Sequence, residues 1–315
     1  MTAMEETMLF SLFGLPVTPY ALCIAAAALA GLLLFGWRAR KAGCKPEAAL
    51  WFAALALPMA LLGARIFYCL VRLSLYLEIG LENALYLWQG GYMLWGAVAG
   101  CGLAAFCAGK LTGEKPVTIT DAAAAPGALV IALCRFAEYF SGEGIGMYVE
   151  NEAFWHFPLA VCNEYEEWYW AVFMLEGLAA LIVMTLVWKR QRQGDQTKLF
   201  LLLYSVCQVL LESLRRDNFL RWLFVRVSQL LAVLVIAALM LMGTLRWQKE
   251  KRPAFTGKRL LLHWLGFFLC VGVIIVMEFA VDKSADLPIW LCYVAEAVCC
   301  VGILGVSYPV VMGNL

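Results

Sequence analysis

Along its 315 residues the chain repeats one pattern: an unbroken apolar run of roughly 20 residues, enough for a helix to cross the hydrocarbon layer, followed by a short charged loop. Such runs lie at about 17–37, 48–71, 91–109, 119–140, 168–188, 198–214, 223–244, 260–281 and 287–311, roughly nine in all. The runs are continuous and do not alternate apolar with polar, which excludes barrel strands. With 63% hydrophobic and 15% charged residues and a mean hydropathy of +0.79, the chain has more apolar surface than a soluble fold of this length could bury. The expected fold class is therefore an all-α polytopic membrane protein of about nine transmembrane helices.

Lys and Arg set the orientation. One set of loops carries Arg38, Arg40, Lys41 and Lys45, then Lys110 and Lys115, then Lys189, Arg190, Arg192 and Lys198, then Arg246, Lys249, Lys251, Arg252, Lys258 and Arg259. The opposite loops carry Glu78, Glu82, Glu143, Glu150, Glu152, Glu164, Glu166 and Glu167, and later Asp282, Lys283 and Asp286. This places the N-terminus outside and the C-terminus in the cytoplasm. The outer segment near 215–226 breaks the rule with Arg215, Arg216, Arg221 and Arg226, and a basic cluster on the wrong side points to a working site. The opening segment, Met1 to Phe13, lacks the basic start of a cleavable signal peptide, so the first span is expected to stay as an anchor.

The 12 cysteines and two histidines form no metal-ligand spacing or CxxC pair, so no metal and no cofactor is expected. Nothing resembles a basic, aromatic nucleic-acid platform, and no nucleic-acid partner is expected. The absence of matching broken half-repeats argues against a transporter.

Four patterns carry chemistry. Leu62-Gly63-Ala64-Arg65 puts an arginine among small residues inside a span; it either holds an anion or snorkels to the headgroups. Gln89-Gly90-Gly91 opens a glycine-rich span in which Gly96 and Gly100 form a packing motif. Asp121 and Ala125-Pro126 precede Arg135, Glu138, Gly142, Glu143 and Gly146. Arg135 and Glu138, three residues apart, share a helix face, and the glycines free backbone amides where the helix ends. That arrangement grips an oxyanion or is a structural ion pair. Finally Glu212, Arg215, Arg216 and Asp217 close another span at the same depth. Arginines in lipid call for an anion, and the obvious one is a lipid phosphate.

Taken in order, these patterns resemble the prolipoprotein diacylglyceryl transferase family over about residues 10 to 245. Arg135, Gly142, Glu143 and Gly146 keep the arginine, glycine and glutamate places of the signature Gly-Arg-Ile-Gly-Asn-Phe-Ile-Asn-Gly-Glu. Gly63 and Arg65 match a Gly-Gly-Arg, Tyr20 stands at a functional tyrosine, Glu212 and Arg215 match Glu-Phe-Phe-Arg, and Ser228-Gln229-Leu230 is similar to Gly-Gln-Trp/Ile-Leu. The chain departs from the pattern where Trp95 replaces a catalytic histidine, Glu138 an asparagine, and Tyr165 to Ala171 a His-Pro-Ser-Gln-Leu-Tyr-Glu segment, of which Leu175-Glu176-Gly177 survives nearby. The division implied is residues 1–247, a seven-span transferase-like domain, and residues 248–315, two added spans.

The resemblance implies a multi-pass protein of the bacterial cytoplasmic membrane. Its reaction would transfer the diacylglyceryl group of phosphatidylglycerol, or a related anionic phospholipid, to the lipobox cysteine of a prolipoprotein. The implied partners are that lipid and prolipoprotein signal peptides. Arg135, Arg215, Glu138, Glu143 and Tyr20 are the expected catalytic residues, with either glutamate as the base in place of the missing histidine. Arg65, Gly91, Gly142, Gly146 and Glu212 are expected to bind substrate. Two alternatives stay open: a lipid transferase with a different acceptor, and a noncatalytic phospholipid-binding protein. The aromatic, acidic stretch from Trp155 to Trp170 is read as an interfacial belt, with a new acceptor pocket as its alternative.

Overall fold

Proline at the first helical turn fixes φ where the backbone N–H has no partner to lose, and three of the long helices begin that way, at Pro19, Pro46 and Pro116. The computed structural model describes residues 8–12, 15–87, 90–190, 192–216, 220–222, 225–250, 257–283 and 288–313. Gln89, Asp217, Lys251, Arg252 and Asp286, residues 1–7 and Phe13, and the side chains of Asp282 and Lys283 lie outside that description.

In chain order the elements are β1 (Phe10–Leu12), β2 (Leu15–Val17), α1 (Pro19–Lys41), α2 (Pro46–Val71), α3 (Leu73–Ile79), α4 (Leu94–Thr112) and α5 (Pro116–Ala137). There follow β3 (Ile145–Tyr148), β4 (Ala160–Cys162), β5 (Trp168–Ala171), α6 (Val172–Lys189), α7 (Gln196–Leu214), β6 (Arg221–Trp222) and β7 (Val225–Arg226). The chain closes with α8 (Val227–Glu250), α9 (Gly257–Lys283) and α10 (Ile289–Met312). Among the described residues nine helices are long and apolar enough to cross a membrane. Their flanks leave Leu33, Leu50, Leu269 and Val301 more than 60% exposed, as lipid-facing side chains are. The chain is thus an all-α polytopic membrane protein.

The fifth span differs from the sequence expectation. Residues 168–171 are not helical; they form β5, the middle strand of a sheet ordered β3-β5-β4, and the helix starts at Val172. Trp168, Tyr169 and Trp170 suit a pleated surface, where aromatic rings pack across strands. Tyr169 pairs with Tyr148 on one side and Val161 on the other. Trp155 stacks on Trp168 at 6.1 Å, so part of the expected interfacial belt is a folded cap on one end of the bundle.

Small residues decide the helix packing. A Cβ on Gly63 would strike the Gly96 carbonyl, and one on Gly100 the Met59 carbonyl, so α2 and α4 touch backbone to backbone, as small-residue interfaces allow. The helices α7 and α8 share one apolar core with α9 and α10, in which Ile236, Met240, Phe267 and Ile303 are at most 1% exposed. Alternation of the long helices leaves the start of α1, the ends of α5, α7 and α9 and the starts of α6, α8 and α10 at the end of the bundle that carries the sheet.

Candidate functional site

At the sheet-bearing end the last turn of α5 points Arg135 toward Glu138, which follows in a short 3-10 turn. The two side chains form an ion pair, as their spacing along one helix face predicts. Glu176, one turn into α6, brings its Oε2 to 3.2 Å from Arg135 Nε and 3.1 Å from Arg215 Nη1. Arg215 follows α7 and is fully buried; its Nη1 also lies 3.6 Å from Glu138 Oε2. Two cations from separate helices therefore share two carboxylates away from water. Glu138 Oε2 and Glu176 Oε1 are buried and accept no hydrogen bond among the described residues, which leaves these two carboxylates with acceptor capacity to spare.

Glu212 and Arg226 lie behind it. Glu212 Oε2 accepts from Gln208 Nε2 at 2.6 Å, and Glu212 Oε1 lies 3.8 Å from Arg226 Nη1. Arg226 also donates through Nη2 to the Arg215 carbonyl. The pairing inferred from sequence joined Glu212 to Arg215; the structure instead sets Glu176 and Glu138 against Arg215 and places Glu212 with Arg226. Sequence reasoning named Arg226 only as one of a basic cluster and Glu176 only as a surviving family residue, and assigned neither a specific place in the site, although a carboxylate inside an apolar run is itself a signal of function.

Tyr20, in the first turn of α1, lies within electrostatic reach of Glu138, Glu143 and Arg135. Glu143 is exposed on the turn between Gly142 and Gly144, both with φ near +70°, a conformation that favours glycine. A Cβ on Gly146 would lie 2.8 Å from Val172 Cγ2 and 3.2 Å from the Leu214 carbonyl. Glycine there lets β3 run against the helix ends that carry Glu176 and Arg215. An apolar cavity of about 430 Å³, lined by Met147, Trp170, Leu175, Leu178, Leu214 and Tyr293 among others, lies beside these helix ends.

Arg65 and Gly91 form a separate assembly. The Arg65 guanidinium donates to the carbonyls of Asn83, Ala84, Tyr86, Gly90 and Gly91 and sits 5.7 Å from the Tyr76 ring. Burial pushes the Tyr76 phenol above its ordinary value, with Arg65 opposing. All five guanidinium N–H groups thus have carbonyl acceptors, so Arg65 holds the backbone of Asn83 to Tyr86 against that of Gly90 and Gly91. Gly91 has φ +77, and its Cβ would meet the Tyr68 ring.

Trp95 is buried, donates its indole N–H to the Ser228 carbonyl at 3.2 Å and meets Tyr204 edge-on. Tyr204 in turn lies within electrostatic reach of Arg135 and Glu176. Trp95 therefore packs against the cluster without offering it a base. His263 bonds the Arg259 carbonyl near the start of α9, at the opposite end of the bundle. Asp121 is also at that end: it accepts from Thr197 N at 3.0 Å and Oγ1 at 2.7 Å and from Gly194 N, and so fastens the α6–α7 connection.

The model of the prolipoprotein diacylglyceryl transferase family matches residues 7–245. Phosphatidylglycerol–prolipoprotein diacylglyceryl transferases of Streptococcus pneumoniae strains JJA and Hungary19A-6 are 26% identical to this chain over 259 residues. Those alignments cover 80% of this chain and 98% of each relative. With its nine candidate spans and bacterial relatives, the chain is a multi-pass protein of the bacterial cytoplasmic membrane.

Proposed function

We propose, given that this chain belongs to the prolipoprotein diacylglyceryl transferase family, that it transfers the diacylglyceryl group of phosphatidylglycerol to a cysteine thiol of a prolipoprotein. The chemistry would take place at the sheet-bearing end, which we place outside, with the C-terminus in the cytoplasm. The observation that carries this reading is the convergence of Arg135 and Arg215, from different helices, on Glu138 and Glu176. Guanidinium pairs in a water-poor site hold a phosphate ester and stabilise the charge that grows on it as it leaves. The spare acceptors on Glu138 and Glu176 suit the hydroxyls of a glycerol headgroup, and the neighbouring apolar cavity suits an acyl chain.

In this reaction the cysteine sulfur attacks the diacylglycerol carbon that carries the phosphate. A C–S bond forms, the C–O bond to phosphate breaks, and glycerol phosphate leaves with that electron pair. The thiolate is the nucleophile, so the thiol proton must go to a base. We assign it to Glu143, which is exposed beside the cluster, because Glu138 is engaged with both arginines. Tyr20 would orient the headgroup. Gly142 and Gly146 would give the backbone its approach to the lipid, Glu212 would set Arg226 behind the pair, and Arg65 with Gly91 would form the rim of the entrance.

The test is a purified-protein assay in nanodiscs with labelled phosphatidylglycerol and a lipobox cysteine peptide. Label on the peptide with release of glycerol phosphate supports the reading; lipid that binds and is never cleaved overturns it. That second outcome is what a noncatalytic lipid-binding protein gives, a reading favoured by Trp95 standing where the family has its histidine.

A further inference from the structure

Between the arginine cluster and the last two helices runs a chain of buried hydrogen bonds. Glu278, near the end of α9 and 8% exposed, accepts from Gln229 Nε2. The same amide nitrogen donates to the Val209 carbonyl at 3.0 Å, and Gln229 Oε1 accepts the Arg226 backbone N–H at 3.3 Å. Arg226 carries the connection on, donating to the Arg215 carbonyl and facing Glu212. Gln229 and Arg226 are each 3% exposed, so neither has water to replace a lost partner.

Glu278 lies beyond residue 245, where the family model stops, and the relatives align over 98% of their own length with only 80% of this chain. The family match is therefore made without this helix. We propose that Glu278 is a positioning residue for the arginine cluster: its carboxylate fixes the Gln229 amide, Gln229 fixes Arg226, and Arg226 fixes the backbone carbonyl of Arg215. This rests on the reading of the cluster as the donor site.

The physical reason is the geometry of a buried amide. Gln229 must satisfy both ends at once, and its orientation is set by which acceptors face its NH2 group. Remove the Glu278 oxygen and one amide proton is buried without an acceptor, so one of the three bonds that hold the amide in place is gone. The acceptor of the Arg226 N–H is then less firmly placed, and with it the Arg226 side chain that donates to the Arg215 carbonyl. Side-chain networks of this kind transmit such a loss beyond the pair that is broken. The appended hairpin would accordingly be part of the working site, joined to it by polar contacts as well as by the shared core.

Glu278→Leu and Glu278→Gln separate this from a merely structural role, because the glutamine oxygen can still accept from Gln229. Phe267→Ala, in the core that α9 shares with α8, serves as the control that loosens the hairpin without touching the network. In full-length protein Glu278→Leu is expected to lower kcat for diacylglyceryl transfer about tenfold or more with KM for phosphatidylglycerol little changed, and Glu278→Gln to retain most of it. Phe267→Ala should lower the unfolding temperature at least as much as Glu278→Leu while sparing kcat. Equal losses in all three variants, or none in Glu278→Leu, overturn the proposal. Amide hydrogen exchange over residues 225–229 reads the network independently of any reaction: faster exchange in Glu278→Leu and wild-type exchange in Glu278→Gln support it, and indifference overturns it. Should the wild-type protein fail to transfer, the donor-site reading falls, while this exchange result still decides whether Glu278 holds Arg226.

Discussion

Glu176 Oε2 stands 3.2 Å from Arg135 Nε and 3.1 Å from Arg215 Nη1, so one carboxylate on α6 ties the end of α5 to the end of α7. With Glu138 added, the two arginines are neutralised within the protein. A lipid phosphate must compete with those internal anions, and the competition governs what each substitution should do.

Glu138→Asn removes one of the two internal anions and keeps a polar side chain of smaller size. The guanidinium groups then offer more of their charge to a phosphate. Affinity for phosphatidylglycerol in nanodiscs should rise by about fivefold or more, roughly 1 kcal/mol. Unchanged or weaker binding would mean that Glu138 does not compete for the phosphate.

Arg65→Lys keeps the charge but has three donors against the five carbonyls that Arg65 now serves. Leaving buried carbonyls without donors costs about 1–3 kcal/mol. Limited proteolysis should become faster between residues 79 and 91, while an excess of phosphatidylglycerol still binds. Selective loss of lipid binding, with the loop unchanged, would assign Arg65 to the lipid.

Gly96→Val should be among the more damaging packing changes, because the added side chain runs into the Gly63 carbonyl and Phe67. Overpacking of this kind costs about 1–3 kcal/mol and often more against backbone. Gly102→Ala, which meets open space, should leave the unfolding temperature near that of wild type. Equal effects would contradict the close approach of α2 and α4.

Asp195, between α6 and α7 at the end of the bundle opposite the sheet, gives a pH dependence of defined sign. Burial pushes its carboxyl up, but hydrogen bonds and charge from Lys198 and Arg190 outweigh this and hold it below its ordinary value. A carboxylate with a depressed folded value adds stability above its unfolded value of about 3.9 and loses it as the pH falls toward the folded one. Thermal stability of wild type should therefore decline below about pH 5 more steeply than that of Asp195→Asn. Parallel curves would contradict the assignment.

Run length made the nine spans legible, because lipid demands long apolar helices and little else has that signature. The short strands were not legible: β4 and β5 pair as a local hairpin, but they are only three and four residues long and lie in an aromatic, acidic stretch that runs straight into an apolar helix, so no apolar alternation marks them. Arg135 and Glu138 announced themselves by their spacing on one helix. Glu176 sat in plain view as a charge inside an apolar run, yet its two partners come from other helices, and no local pattern encodes such a meeting. The same holds for Arg226, which four arginines in one segment left indistinct from its neighbours. Asp121, read beside the signature, belongs to the far end of α5, which a helix of this length separates from Arg135 by roughly 20 Å at about 1.5 Å per residue.

The most direct measurement is a double-mutant cycle on Arg135 and Arg215, each changed to Gln, with kcat/KM for diacylglyceryl transfer as the readout. If the two guanidinium groups hold one phosphate together, each single change should cost about 100-fold or more and the double change little beyond either alone. Fully additive losses, or a single variant near wild-type activity, would contradict a shared phosphate clamp.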